Sequence, residues 1–497
     1  MIASDHRAHA DFIRNDTGDS SQRIMALLLH VPLLIVLNGF IVSRMQHTSS
    51  LWNALLVEFA LFTCPILLMM TSLAEHVTSS SLLLCCLTFC TWLSSKWQKS
   101  QGKRRAPKSF DGSGPLYSSL FEKERVFVSW FKGAVVLVTS IAILAVDFPV
   151  FPRTSAKTNK FGMSLMDLGA VYFVVSTALT SPWSQGSCDH HEENHSRGLL
   201  LRRHGDKKKV NLFKQVWVAP VLGASRLITI KFLNYPEIVD EYGIHWNFFM
   251  TLTGIWLMRN ITHRLFSFSS IQLAIIACCI IIGYQWALLN TNLTSFIFDA
   301  ERGDSFLAAN REGIIAMAMG YFPILLLIEA FSREIIFGTD KVLTAKQKKG
   351  EIGASELGVP RERQLIILAY LTAISWVLWY LCHTFIQGTS RRLLNASFVL
   401  FSLASAFAIL GSLLLAEDVV RAHVDGDEGK GIFRVCCGLQ LANKFSLELF
   451  LFANLCTGVV NMMCATHGQN NISACLLLAA YSLLLHFFPA LVLVLQD

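Results

Sequence analysis

Thirteen runs of roughly 17–25 mainly apolar residues decide most of what this chain can become. They lie near 24–43, 51–73, 77–95, 127–146, 163–181, 213–233, 244–260, 269–289, 313–332, 364–386, 395–416, 445–463 and 473–495. Within hydrocarbon every backbone N–H and C=O needs a partner inside the chain, so runs of this length predict helices. The predicted fold is all-α: one polytopic transmembrane bundle over 1–497 with about 13 membrane helices. The remainder leaves no room for a separate soluble domain, because no polar stretch exceeds roughly 35 residues. Only 15% of residues are charged, against about 25% in soluble chains.

The net charge of +7 does not imply nucleic acid, since the cations fall in short loops between spans. One set of alternate loops holds most of them, including the basic loops 96–125 and 182–212. The other set, with the N-terminal segment, holds about a third as many. Positive-inside bias places 1–23 in the lumen, the C-terminus in the cytosol, and the loop 147–162 in the lumen. The first 23 residues carry no cleavable signal pattern, so the first span is expected to act as an uncleaved anchor. The 13 cysteines show no C-x-x-C pair and are read as small core residues.

Polar residues gather on the side assigned to the lumen. D-F-P-V-F-P-R-T-S-A-K-T-N-K-F-G-M-S-L-M-D (Asp147–Asp167) joins the fourth and fifth runs. Pro149 and Pro152 cannot donate to a helix ladder and bias the preceding residues toward extended backbone, so a helix ends at Asp147 and a shaped loop follows. Asn234–Phe249, Ala309–Gly313, Arg391–Asn395 and the pair Asn454 and Asn461 lie on the same side. Convergence of these five clusters on one pocket is the expectation.

Those residues also carry a resemblance. A-V-D-F-P-V-F-P-R…A-K-T, M-D-L-G, E-Y-G-I-H-W-N-F-F, A-N-R-E-G-I, R-R-L-x-N and N-L-C-T-G-V-V-N resemble the GPI-anchor inositol acyltransferase family, over about residues 115 to 465. The resemblance implies thirteen spans and a lumenal N-terminus in the endoplasmic reticulum membrane. It also implies transfer of a fatty acyl chain from acyl-CoA to an inositol hydroxyl of glucosaminyl-phosphatidylinositol. Where that family usually reads P-R-R-F-A-K-T-E, this chain has Thr154, Ser155 and Asn159, and Ile238 replaces a common histidine. The second arginine is therefore dispensable or is substituted by Lys160.

Acyl transfer from a thioester to an alcohol needs a base, a donor for the developing oxyanion, and orientation of two lipids. Asp147 is the candidate base, against a bland reading as an interfacial carboxylate. Lys157 is the candidate partner, donating to the thioester carbonyl or orienting Asp147, against a snorkelling lysine. Arg153 suits a phosphate through its planar fork, or a headgroup anchor. Arg226 and Lys231 hold phosphate or pair with Asp167. His245, Trp246 and Asn247 are candidates for inositol hydroxyls, and His245 is the second candidate base. Asn310, Arg311 and Asn461 complete the substrate-binding set, while Glu312 is read as a helix cap and Asn454 and Asn461 as interhelical hydrogen-bonders. The expected partners are membrane lipids, the glycolipid and acyl-CoA, first of all palmitoyl-CoA, with no metal, no permanently bound cofactor, no nucleic acid and no obligate protein partner. A multi-pass secondary transporter or lipid scramblase is the rival reading.

Overall fold

A computed structural model describes residues 17–42, 51–100, 125–181, 183–184, 220–223, 242–301, 303, 305–337, 359–424 and 435–496. It is all-α, with no β-strand among the described residues. Ten described helices are long and apolar enough to cross a membrane, which makes the chain a multi-pass membrane protein. They are α1 (Ser21–Val42), α2 (Leu51–Met70), α3 (Val77–Ser100), α4 (Val126–Ala145), α7 (Ser270–Asn290), α8 (Arg311–Ile336), α9 (Arg361–Ile386), α10 (Ala396–Val424), α12 (Ser446–Met463) and α13 (Asn471–Gln496). Helix α5 (Asp167–Leu179), α6 (Phe248–Leu265) and the eight-residue α11 (Cys437–Lys444) complete the main elements.

Two of the thirteen expected runs have other bounds than the sequence suggested. The fifth run yields only the 13 residues of α5, about 20 Å long against a hydrocarbon core of about 30 Å. Its first residues, Met163–Met166, return the preceding loop instead of opening the helix. The seventh run starts late because Asn247 caps α6, its side chain accepting from Met250 N–H. The sixth run, with Arg226 and Lys231, and most of the two basic loops lie outside the described residues. The cysteine reading is also corrected: Cys85, Cys86, Cys90, Cys278 and Cys279 are exposed. On a membrane helix an apolar side chain gains little by turning inward, since lipid is as apolar as the core.

The chain divides into two compact units: one of Met1–Thr158, Met163–Gly169 and Ser405–Asp497, the other of Asn159–Gly162 and Ala170–Ala404. In the first unit α4 is the central helix, 78% buried against 11% for the peripheral α3. It packs on α11, α12 and α13. Gly133 lets the backbone of α11 approach, because a Cβ there would strike the carbonyl of Leu439. Glu58, buried midway along α2, accepts from the N–H groups of Gly438 (2.7 Å) and Leu439 (2.9 Å). It thereby satisfies two donors that the start of α11 would otherwise strand. Tyr481 of α13 donates to the carbonyls of Ser140 and Ala453, tying α4 to α12.

In the second unit α8 packs against α7 and α6. Near the end of α6, Glu329 of α8 is fully buried and lies 2.9 Å from His263 Nε2 and 3.7 Å from Arg259 Nη1. Trp183 stacks on His263 and carries the Arg333 guanidinium over its ring, 4.4 Å from the centroid. The outward faces of α7 and α9 present Ile275, Ile282, Ile366, Ile374 and Phe385, an apolar surface suited to lipid.

Candidate active site

The loop after α4 is built from its own carbonyls inward. The two prolines free the carbonyls of Val146, Phe148 and Phe151 from any helix ladder, and Arg153 collects them. Its Nη1 donates to Val146 O (2.8 Å), Nη2 to Phe148 O (2.9 Å) and Phe151 O (2.7 Å), and Nε to Phe151 O (3.1 Å). Burial lowers the Arg153 guanidinium to about 10, with the Asp147 charge opposing the shift, so it remains cationic at neutral pH. Within this frame Asp147 is 6% exposed. Asn461, in the last turn of α12, donates to Asp147 Oδ2 at 2.8 Å. That bond brings the C-terminal ends of α4 and α12 together. The amide oxygen of Asn461 is buried with no hydrogen-bond partner among the described residues. Asn454 is instead exposed and turns back to the carbonyl of Phe450.

Beyond Arg153 the loop is pinned on both sides of Lys157. Ser155 O accepts from Met166 N–H (3.2 Å). Thr158 donates twice to Asp167, through its N–H (3.1 Å) and its hydroxyl (2.9 Å), and Asp167 N–H donates to Ser164 Oγ. Ala156 and Thr158 are each 1% exposed, whereas Lys157 between them is exposed. A lysine on fixed backbone is thus presented outward. The carboxylate of Asp167, a candidate partner of Arg226 and Lys231, is engaged with Thr158.

The second unit gathers three of the other motif clusters with the end of the same loop. Asn310, fully buried, accepts from His245 N–H (2.8 Å) and donates to Phe306 O (2.9 Å). Ile244 N–H donates to Ala309 O and Gly313 N–H to Tyr242 O, so E-Y-G-I-H-W-N lies along A-N-R-E-G. Glu312 pairs with Arg392 at 2.9 Å, which joins R-R-L-L-N to them. Glu312 is therefore half of a buried ion pair rather than a cap, a partnership across 80 residues that local sequence does not disclose. Lys160 pairs with Asp299 at 2.7 Å, the Ser390 hydroxyl donates to Lys160 O, and Gly162 N–H donates to Thr389 O (2.8 Å). The rings of Phe298 and Phe296 carry Arg392 and Arg311 respectively.

The remaining sequence candidates fall into place as follows. Arg311 is buried and donates to the carbonyls of Ile297, Ala300, Glu301 and Ala308. Asn247 caps α6 and donates to Gly223 O. Trp246 donates to Thr251 Oγ1. His245 is exposed and engages Asn310 through its backbone. Sequence reasoning missed the contacts of residues 18–20, which precede α1, and the network in which Asn395 holds Ser390 and Gly388. The only signal for either was the glycine before Asp19 and the asparagine closing R-R-L-L-N.

Comparison with known proteins gives one consistent result. The GWT1 family model matches residues 5–492. A protein of Aspergillus fumigatus named GPI-anchored wall transfer protein 1 is 31% identical over 506 residues, spanning 96% of this chain and 95% of that protein. One of the same name from Debaryomyces hansenii is 30% identical over 452 residues, spanning 86% of each. Another, from Yarrowia lipolytica, is 33% identical over 368 residues, spanning 72% of this chain and 70% of that protein.

Proposed function

Because the chain belongs to the GWT1 family, we propose that it acts in GPI-anchor biosynthesis as an acyl-CoA-dependent inositol O-acyltransferase of the endoplasmic reticulum membrane. The relatives' shared name supports the pathway. The observation that carries the chemistry is the buried Asp147 carboxylate held by Asn461, whose own amide oxygen awaits a donor. An inositol hydroxyl entering there gives its proton to Asp147 and hydrogen-bonds the Asn461 oxygen through a neighbouring ring hydroxyl. The alkoxide oxygen attacks the acyl thioester carbon, and Lys157 donates to the oxygen that becomes negative. Collapse breaks the C–S bond, the ester C–O bond remains, and Asp147 returns its proton to the departing CoA sulfur. Palmitoyl-CoA is the proposed donor and glucosaminyl-phosphatidylinositol the acceptor, with the N-terminus lumenal.

The test uses microsomes from cells lacking the protein, complemented with Asp147→Asn, Lys157→Ala or His245→Ala. The proposal expects loss of acylated inositol lipid with the first two and retention with the third. Normal product from correctly inserted Asp147→Asn and Lys157→Ala overturns it, and loss with His245→Ala alone transfers the base to His245. Acyl transfer by the purified protein without a partner excludes a transporter or scramblase.

A further inference from the structure

Residues 17–19 run against the turn that closes the Lys157 loop. Asp19 N–H donates to Met163 O at 2.7 Å. The Asp19 carboxylate, its side chain only 8% exposed, accepts from Ser20 N–H (2.8 Å) and from the Ser155 hydroxyl (3.4 Å), and lies 3.6 Å from Arg23 Nε. Gly18 is buried with φ +72°. A Cβ there would sit 2.7 Å from Met163 O, 2.8 Å from Met163 N and 3.2 Å from the Thr158 methyl. Both the backbone conformation and the close approach require glycine.

Each contact lands on the pinned loop. Ser155 lies two residues before Lys157 and Thr158 one after it, while Met163 begins the return to Asp167. We propose that Gly18 and Asp19 form a strap that positions Lys157 for acyl transfer. The proposal rests on the role given to Lys157 above. Asp19 is a positioning residue: it touches the loop, and Lys157 does the chemistry. Residues 17–20, ahead of the first membrane span, are then part of the working enzyme.

Two measurements on the full-length protein test this. Purified Gly18→Val and Asp19→Ala are assayed with palmitoyl-CoA and glucosaminyl-phosphatidylinositol. Displacing a catalytic group by about 1 Å costs about 100-fold, so kcat is expected to fall about 10- to 100-fold in Gly18→Val with KM for palmitoyl-CoA within about twofold. Asp19→Ala is expected to lose kcat too, and Asp19→Asn, which keeps an acceptor oxygen, to recover part of it. In the second measurement Lys157→Cys is alkylated with a membrane-impermeant maleimide, and modification at that position is followed by mass spectrometry. Adding Gly18→Val is expected to change that rate at least about threefold, as protection governed by local structure does.

Unchanged kcat in Gly18→Val and Asp19→Ala, at wild-type thermal stability, overturns the strap. If Gly18→Val does not accumulate, unchanged kcat in Asp19→Ala does so alone. The alkylation reads geometry without catalysis: if Lys157→Ala stays active, the reading of Lys157 fails, whereas a Lys157→Cys rate indifferent to Gly18→Val fails the strap itself.

Discussion

Arg153 separates two accounts of the candidate site. As a phosphate ligand it would need its guanidinium for the substrate. In the structure the same guanidinium makes four hydrogen bonds to three main-chain carbonyls around Asp147. Arg153→Lys keeps the charge but replaces the planar fork with a point charge on a flexible stem. One ammonium cannot serve carbonyls at Val146, Phe148 and Phe151 together, so two of the three lose the bond from residue 153, although Phe148 O keeps the Phe151 N–H (3.2 Å). A hydrogen bond to a charged group contributes about 1.5–3 kcal/mol. For a half-buried side chain the lower end applies, and two losses amount to about 2–3 kcal/mol. If the loop transmits that to the transition state, it corresponds to about 30- to 150-fold in kcat. The assay is steady-state acyl transfer by the purified variant, with both KM values measured beside thermal inactivation. The expected pattern is lowered kcat, lowered stability and little change in KM for the glycolipid. A variant with wild-type kcat and stability but a raised glycolipid KM would refute the staple and restore phosphate binding.

Glu329→Gln leaves Arg259 buried without its counter-charge; at 3.7 Å and an effective dielectric of about 20 the lost attraction is about 4 kcal/mol, within the range for breaking a buried pair. The variant is expected to inactivate at lower temperature in detergent, and Arg259→Met with Glu329→Leu to recover most of the loss; a double variant no better than the single refutes the charge argument. Burial raises the Cys436 and Cys437 thiols well above their usual range, and the Glu58 charge acts in the same direction. The folded protein therefore holds thiol protons that the unfolded chain releases from about pH 8.5, and stability falls as pH rises past that point. Both are expected to resist maleimide at pH 8 until the protein is unfolded, as peptide mass spectrometry will show; ready labelling of the folded protein contradicts it.

The spans were legible because a membrane helix must be apolar along its whole length, and few other structures are. Ser270–Asn290, Ser446–Met463 and Asn471–Gln496 fall within a few residues of the runs read from sequence. Legibility failed where a polar residue decides a boundary through a distant or irregular contact. Met163–Met166 reads as apolar, but Ser155 O takes the Met166 N–H and Asp19 N–H donates to Met163 O, which holds it in a loop. Asp147 was legible because two prolines announce the end of its helix. Its partner was harder to see: Asn454 and Asn461 share a helical face by spacing, yet only the residue in the last turn reaches Asp147.

A polar motif in a membrane protein has two possible employers, a ligand and the chain's own irregular backbone, and burial decides between them. Backbone that leaves the helix near lipid must be satisfied from within, and each stranded carbonyl costs about 1–3 kcal/mol. Arg153, Arg311, Asn247, Asn310 and Asn395 each spend side-chain atoms on main-chain groups. Recruiting any of them to a ligand would strand the groups it leaves, so a ligand would have to repay that cost before gaining affinity. Asp147 differs, because Asn461 holds it through a side-chain amide that can shift with it. Lys157 differs as well, since its backbone is pinned while its side chain faces outward. The motifs of this chain are therefore mostly the mould of the site, and the smaller set within them that the mould presents is where the chemistry should be sought.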